Sequence, residues 1–204
     1  MATSFGILIL AAGMSERMGT PKPLLPLGGK YFLEHILSNP FVAQNPVKPF
    51  IIVGHEKDKI RSVLPQEIPI IENTDYRTGR MSSIQAGLKV VPSSVEGVFV
   101  WPVDCPLVSE EVLNALTMPF QNKNNICIPS YRFRRGHPPL IGASYFSEIL
   151  SMKADESLRE LYARHPEAVV HVEVDTETVL HNVNTPEEYQ ALKKFWSDME
   201  SQHS

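Results

Sequence analysis

The apolar run at residues 5–11, Phe-Gly-Ile-Leu-Ile-Leu-Ala, constrains the fold more than any other feature of the sequence. The run is continuous rather than alternating, and it therefore predicts a central strand covered on both faces, as in a parallel sheet. It is also too short to span a bilayer. The next segment, residues 13–29, contains several glycines and prolines and predicts a long loop at the carboxyl end of this strand.

Short apolar segments and helical patterns alternate along the next hundred residues. Strands are predicted at residues 50–54, 68–71, 95–103 and 126–128. Helices are predicted at residues 31–37, 56–64, 82–91 and 110–116. This alternation predicts an α/β fold with a doubly wound, mostly parallel sheet and right-handed crossovers.

The pattern loosens beyond Arg132. There we expect a proline-bearing loop, helices around Phe146 and Leu158, a strand at residues 169–174 and a last helix from Pro186. No linker or internal repeat divides the chain. The prediction is a single domain over residues 1–198, followed by a polar C-terminal tail over residues 199–204.

The charge and the cysteines of the 204-residue chain exclude several classes of protein. A net charge of −4 argues against general nucleic-acid binding, which needs a basic face. Cys105 and Cys127 form no CxxC pair, so neither a disulfide framework nor a structural zinc site is indicated. No basic segment precedes the first apolar run, as a signal peptide requires. We therefore expect a cytoplasmic protein that binds neither nucleic acid nor membrane.

The loop after the first strand lies where doubly wound sheets bind ligands. Residues 10–22 read Leu-Ala-Ala-Gly-Met-Ser-Glu-Arg-Met-Gly-Thr-Pro-Lys. Small residues let the backbone approach a ligand, successive NH groups can hold phosphate oxygens, and Arg17 and Lys22 add positive charge. The G-x-G-x-x-G of dinucleotide-binding folds is absent, and a Walker A loop is excluded because Tyr31 stands where Ser or Thr must follow Gly-Lys.

The pattern L-A-A-G-x-S-x-R-M-G-x-x-K in this loop resembles the pyrophosphorylase signature of the NTP-transferase superfamily. Within it, the chain is most similar to the molybdenum cofactor nucleotidyltransferases, especially the cytidylyltransferase branch. The resemblance implies a Rossmann-like sheet of the nucleotide-diphospho-sugar transferase type. It also implies that the loop wraps a triphosphate, with Arg17 and Lys22 as catalytic groups on the phosphates. The other nucleotide-binding residues implied in this loop are Leu10, Ala11, Ala12, Gly13 and Ser15.

Two further segments resemble the metal-binding elements of the family. Pro-Val-Asp-Cys-Pro at residues 102–106 resembles its D-x-P element, which makes Asp104 a catalytic residue and a Mg²⁺ ligand. Asn-Val-Asn-Thr-Pro at residues 182–186 resembles its N-x-N-T-P element, which makes Asn184 the second ligand. Read locally, an aspartate at a strand end is a capping or turn residue, and residues 185–188 form a helix capping box. The cap and the metal role can coexist.

Residues 79–87, Gly-Arg-Met-Ser-Ser-Ile-Gln-Ala-Gly, resemble the family's G-x-x-x-S-x-x-x-G segment, which lies along the nucleotide. The resemblance implies nucleotide contacts by Gly79 and Ser83. The local alternative is that Ser82 or Ser83 is a helix N-cap.

Three arginines precede the Gly-His-Pro at residues 136–138. Such a cluster can attract an anionic acceptor through bidentate contacts with a phosphate, and a solvated basic loop is the alternative. Gly-His-Pro resembles a motif of the molybdopterin-handling branch, which implies acceptor binding by Arg135, Gly136 and His137.

Ala12 bears on the choice of base, because the family has alanine here in its A-A-G form and glycine in the A-G-G form of guanylyltransferases. The resemblance therefore favours CTP over GTP, although UTP enzymes share the A-A-G form. It implies Mg²⁺-dependent transfer of CMP to a phosphorylated acceptor, molybdopterin, with release of pyrophosphate and delivery to a molybdoenzyme or maturation partner. Two alternatives remain: transfer to a sugar 1-phosphate or another phosphorylated metabolite, and a non-catalytic nucleotide-binding or cofactor-delivery protein.

Overall fold

The computed structural model describes residues 4–202 and is organised around one large β-sheet. The strands are β1 (Phe5–Ala11), β2 (Pro26–Leu27), β3 (Lys30–Tyr31), β4 (Phe50–Val53), β5 (Ile70–Glu72), β6 (Gly97–Pro102), β7 (Ile126–Tyr131), β8 (Arg134–Arg135), β9 (Leu140–Gly142) and β10 (Val169–Glu173). Within the described residues, the sheet has the order β10-β7-β9-β6-β1-β4-β5, and β8 pairs with β7. Strands β2 and β3 form a separate hairpin.

The helices are α1 (Phe32–Leu37), α2 (Pro40–Gln44), α3 (Lys57–Ser62), α4 (Arg80–Leu88), α5 (Glu110–Thr117), α6 (Phe146–Ser151), α7 (Leu158–Arg164) and α8 (Pro186–Gln202). All of the predicted helices and strands are present, and their ends differ from the predicted ones by at most three residues. The short helix α2 was not predicted. Its signal is local, because the Asn39 side chain accepts a hydrogen bond from the Phe41 backbone at 2.9 Å and Pro40 occupies the first helical position.

The strand pairings confirm a doubly wound, mostly parallel sheet. Strand β1 is parallel to β4 and β6, β4 to β5, and β7 to β10. Strand β9 is antiparallel to both of its neighbours, β6 and β7. The prediction of a loop after Arg132 is therefore wrong in part, because this segment contains β8 and β9. These strands are two and three residues long, which is too short to leave a periodic pattern in the sequence.

Both faces of the central strands are buried, as the continuous apolar run predicts. Ile7 and Ile9 of β1 enter one hydrophobic cluster, while Leu8 and Leu10 enter the cluster on the opposite face. All seven residues of β1 are buried. Since side chains of a strand point alternately to the two faces, a strand between two layers must be apolar at every position. Strand β1 is thus fixed at the centre, and its carboxyl end is fixed with it.

The C-terminal helix α8 packs on the hairpin that follows the first loop. Leu192 and Val183 join Leu25, Leu27 and Phe32 in a third hydrophobic cluster. Helix α8 runs to Gln202, beyond the domain boundary predicted at residue 198, and residues 203–204 of the expected tail lie outside the described residues. A search of residues 4–202 finds no helix that is long and apolar enough to cross a membrane.

Candidate active site

A cavity of about 440 Å³ opens at the carboxyl ends of β1 and β6. Strand β1 lies between β4 and β6 there, and the chain crosses from one side to the other, which makes this the switch point of the sheet. Every residue that the sequence assigned to the nucleotide or the metal lines this cavity: Leu10, Ala11, Ala12, Gly13, Ser15, Arg17, Lys22, Gly79, Ser83, Asp104 and Asn184. Their chemical roles remain predictions.

Ser15 shapes the loop that leads from β1 to Lys22. Its φ angle of 54° is left-handed, and its carbonyl oxygen accepts hydrogen bonds from the backbone NH groups of Met18 and Gly19 at 2.9 and 3.2 Å. Its hydroxyl accepts a third from the backbone NH of Lys22 at 3.0 Å. These bonds turn the chain back on itself, so that Lys22 returns to the mouth of the cavity.

The Lys22 ammonium joins two segments that are far apart in the sequence. Its Nζ lies 3.2 Å from Oδ2 of Asp104 and donates a hydrogen bond of 2.8 Å to Oδ1 of Asn184. Asp104 is only 6% exposed, and within residues 4–202 its other oxygen, Oδ1, is buried with no hydrogen-bond partner. A buried carboxylate oxygen without a partner is costly, so this geometry favours a further cationic or hydrogen-bonding ligand at Asp104.

Backbone hydrogen bonds fix Asp104 just beyond the end of β6. The NH of Val103 donates to the carbonyl of Leu10 at 3.2 Å, and the NH of Val183 donates to the carbonyl of Asp104 at 2.9 Å. The neighbouring Cys105 is fully buried, and burial, followed by the charge of Asp104, raises the pKa of its thiol. A thiol held protonated in this way is not a nucleophile.

The segment around Asn184 forms the capping box that the sequence suggests. The backbone NH groups of Asn184 and Thr185 donate to Oε2 of Glu188 at 2.6 and 3.0 Å, and the NH of Glu188 donates to the Thr185 hydroxyl at 3.3 Å. The cap orients the start of α8. The Asn184 side chain remains directed at Lys22, so the cap and a role in the site coexist here.

Gly79 is required by the backbone at the start of α4. Its φ angle is 137°, and a β-carbon there would lie 2.5 Å from the carbonyl oxygen of Ala154. Gly79 is itself the N-cap of α4, so the N-cap role considered for Ser82 and Ser83 is wrong. Both serines lie inside the helix, where their hydroxyls accept hydrogen bonds from the Asn73 side chain at 2.8 and 3.0 Å.

A second cavity of about 620 Å³ adjoins the first one. Arg135, Gly136 and His137 line it, in agreement with their shared assignment to an acceptor. The rest of its lining combines apolar side chains with further arginines and with the hydroxyl-bearing Ser157 and Tyr162. Sequence reasoning missed Arg80, Met81, Ile84, Val100, Ile128, Phe133, Leu158, Arg159 and Tyr162, which also line this cavity.

Arg80 lines both cavities and is the most informative of the missed residues. It is the first residue of α4, and its Nη2 lies 3.9 Å from Oδ2 of Asp104. The guanidinium can therefore contact anionic groups in either cavity. Its neighbour Gly79 was the one sequence signal at this place, but nothing in the sequence shows that α4 begins at the boundary between two cavities.

His137 is a neutral residue in the second cavity. Burial, followed by the positive charge of Arg80, lowers its pKa to about 4, although Asp104 acts in the opposite direction. Its backbone NH donates to the carbonyl of Val179 at 2.8 Å, and its Nδ1 is buried with no partner in the described part of the chain. The positive charge of the second cavity therefore comes from its arginines, and His137 adds a neutral hydrogen-bonding group.

A carboxylate, an amide and a lysine thus meet beside a glycine-bearing loop at the switch point of a doubly wound sheet. The chain belongs to the MobA-like NTP transferase domain family, whose model matches residues 7–169. This confirms the resemblance to molybdenum cofactor nucleotidyltransferases at the level of the family.

Relatives of the chain match it over nearly its whole length. A protein of Bacillus cytotoxicus named probable molybdenum cofactor guanylyltransferase is 28% identical over 91% of this chain and 94% of its own. A protein of the same name from Bacillus mycoides is 26% identical over 92% of this chain and 94% of its own.

Solved structures share the fold. One from Mycobacterium sp. strain JC1 has a TM-score of 0.83 and 23% identity, over 96% of this chain and 98% of its own. A nucleotidyl transferase from Methanothermobacter has a TM-score of 0.82 and 18% identity, over 97% and 100%. A Mycobacterium tuberculosis protein solved as a complex with manganese has a TM-score of 0.77 and 21% identity, over 95% and 100%.

The lowered pKa of His137 predicts how stability depends on pH. Between about pH 6.5 and pH 4 the unfolded chain binds a proton at this residue and the folded chain does not, so stability falls as the pH falls through this window. Because one proton is involved, His137 contributes a slope of up to about 1.4 kcal/mol per pH unit. In urea unfolding experiments, the free energy of unfolding of His137→Gln should fall less steeply between pH 6.5 and pH 4 than that of the wild type. Parallel curves for the two proteins would contradict a buried, neutral histidine.

Proposed function

We propose that this protein transfers a nucleoside monophosphate from an NTP to a phosphorylated acceptor and releases pyrophosphate. CTP is the favoured donor and molybdopterin the acceptor. The observation that carries the proposal is the position of the Lys22 ammonium between the oxygens of Asp104 and Asn184 in the first cavity. A cation that can bind a triphosphate and two oxygen ligands for a metal ion are thereby brought together at one end of this cavity.

The reaction requires alignment and charge neutralisation rather than a covalent enzyme intermediate. An oxygen of the acceptor phosphate forms a bond to the α-phosphorus, and the bond between the α-phosphorus and its bridging oxygen to the β-phosphate breaks, so that pyrophosphate leaves. Arg17, Lys22 and the loop backbone hold the triphosphate. Arg80, which lines both cavities, is placed to hold the two reacting phosphates together.

Asp104 and Asn184 fit a divalent cation. They offer a carboxylate and an amide oxygen, which are the ligands that Mg²⁺ prefers, and Oδ1 of Asp104 lacks a partner within residues 4–202. No group of three or more His, Cys, Asp or Glu side chains suited to a metal occurs among the described residues, which favours a site completed by substrate phosphates. Bound there, Mg²⁺ would offset the charge of the triphosphate. The manganese complex of the mycobacterial neighbour supports a divalent ion.

The second cavity supports a separate acceptor. Its cationic residues suit a phosphate, and its apolar walls suit a larger heterocyclic group more than a hydrated sugar. The names of the Bacillus relatives support molybdopterin as the acceptor. The lysine, carboxylate and amide assembled at one point argue against a non-catalytic nucleotide-binding protein. The proposal includes a cytoplasmic location and delivery of the product to a molybdoenzyme or maturation partner.

The choice of base rests on Ala12. Its side chain is 3% exposed and lines the nucleotide cavity, and its carbonyl accepts a hydrogen bond from the backbone NH of His55 at 3.4 Å. A methyl group held in this way takes up room that glycine would leave for a purine. The relatives named guanylyltransferases, at 26–28% identity, favour GTP as the second candidate.

Removing the charge of Asp104 tests the proposed reaction. Purified protein with magnesium, each NTP and molybdopterin should release pyrophosphate and give a dinucleotide product, as measured by a coupled assay and by mass spectrometry. Asp104→Asn should lower turnover on the order of 10²-fold or more, because the carboxylate would hold the cation that offsets the charge of the reacting phosphates. The matched variant Asp58→Asn, on the outer helix α3, should leave turnover intact. Near-normal turnover in Asp104→Asn would show that the metal assignment is wrong.

Substituting Ala12 tests the choice of base. We expect faster pyrophosphate release with CTP than with GTP in the wild type. Ala12→Gly should raise the ratio of kcat/KM for GTP to that for CTP by roughly ten-fold, since a single methyl group in a pocket changes discrimination by about that factor. Equal or faster wild-type release with GTP would reverse the assignment in favour of the guanylyl donor.

A further inference from the structure

Phe133 is the most exposed large apolar residue of the described chain. Its side chain is 98% exposed, and it stands at the tip of the β7–β8 hairpin. It nevertheless lines the 620 Å³ cavity beside Arg134 and Arg135. An exposed aromatic ring does not gain the free energy that burial normally contributes to folding. A bound ligand that covered the ring would supply this missing contact.

The backbone at the hairpin tip is strained. Tyr131 pairs with Arg134, which leaves Arg132 and Phe133 as a two-residue turn, and their φ angles are 50° and 64°. Such a turn favours Asn-Gly, because side chains larger than glycine resist left-handed φ angles. Phe133 thus has both a strained left-handed backbone and a fully exposed side chain, and neither feature favours folding. Strained backbone of this kind is found at ligand-binding sites.

The hairpin tip is nonetheless held in place. The backbone NH of Arg132 donates to Oε1 of Glu173 at 2.9 Å, and its guanidinium lies over the Tyr131 ring, 5.1 Å from the centroid. The ring of Phe133 is therefore presented from an anchored turn at the edge of the second cavity.

The surroundings of Phe133 indicate the chemistry of its ligand. Apolar groups line the cavity wall, including Ile128, Leu158 and Tyr162, and arginines supply its charge. Apolar walls with a cationic rim suit a flat ring system that carries a phosphate. A sugar phosphate would satisfy the arginines but would offer the aromatic ring no planar π face.

We infer that Phe133 stacks on the ring of a planar, phosphorylated heterocycle bound in the second cavity, and that it selects such acceptors over sugar phosphates. The inference rests on the proposed function, since it concerns the acceptor of the same reaction. It assigns to Phe133 a direct contact with the acceptor.

Ligand binding can be measured without turnover. We would titrate the full chain with hydroxymethylpterin monophosphate and follow the fluorescence of the pterin, with a sugar 1-phosphate as a competing probe. Phe133→Ala should raise the dissociation constant of the pterin about ten-fold, because aromatic stacking on a base contributes at about this level. Phe133→Tyr should restore the wild-type value and Phe133→Leu should not, since leucine keeps apolar area but has no ring face.

A matched control is available at Met118, which is 83% exposed and lines neither cavity. Met118→Ala should bind the pterin as the wild type does. Equal pterin binding by the wild type and Phe133→Ala, or by Phe133→Leu and Phe133→Tyr, would overturn stacking while leaving the proposed function standing. Failure of the wild type to bind the pterin, or preferential binding of the sugar 1-phosphate, would overturn both the inference and the assigned acceptor.

A stability measurement separates a binding role from a structural one. The variant Phe133→Gly removes the left-handed strain at the second turn position and leaves Arg132 in place; it should raise Tm by roughly 2 °C while weakening pterin binding as Phe133→Ala does. Opposite effects on stability and affinity are expected only if the strained, exposed ring serves ligand binding. A lower Tm in Phe133→Gly would show that Phe133 supports the fold, and it would overturn the inference.

Discussion

The interaction on which the site depends is the contact of the Lys22 ammonium with Asp104 and Asn184. Burying a carboxylate as deeply as that of Asp104 is unfavourable unless positive charge or hydrogen bonds compensate it. Lys22 reaches it across 82 positions of sequence and reaches Asn184 across 162. The first loop, the end of β6 and the start of α8 must therefore all be in place for both contacts of Lys22 to form.

The sheet provides that placement. Because β1 and β6 are adjacent and parallel, the loop after one and the aspartate after the other emerge at the same edge. The chain then returns through α8, which packs on the hairpin behind the loop and brings Asn184 to the same point. In the proposed reaction one cavity takes the donor and the other takes the acceptor, and Arg80 lines both.

Local signals predicted much of this arrangement. The apolar run of β1 fixed a central parallel strand, and the capping box at Thr185 and Glu188 was readable residue by residue. What failed depends on tertiary structure: β9 is too short for a pattern, and Gly79, rather than a serine, caps α4. The nucleotide-side residues form dense motifs in sequence and lie together in the fold. The acceptor-side residues come from separate helices and strands, which is why Arg80, Phe133 and Arg159 carry no local signature.

The most direct measurement is a crystal structure of the protein with Mg²⁺ and a non-hydrolysable CTP analogue. We expect the triphosphate in the 440 Å³ cavity, with the ion bound by the carboxylate of Asp104 and the amide oxygen of Asn184, and the Lys22 ammonium on a phosphate oxygen. A nucleotide bound outside this cavity, or an ion remote from Asp104, would contradict it.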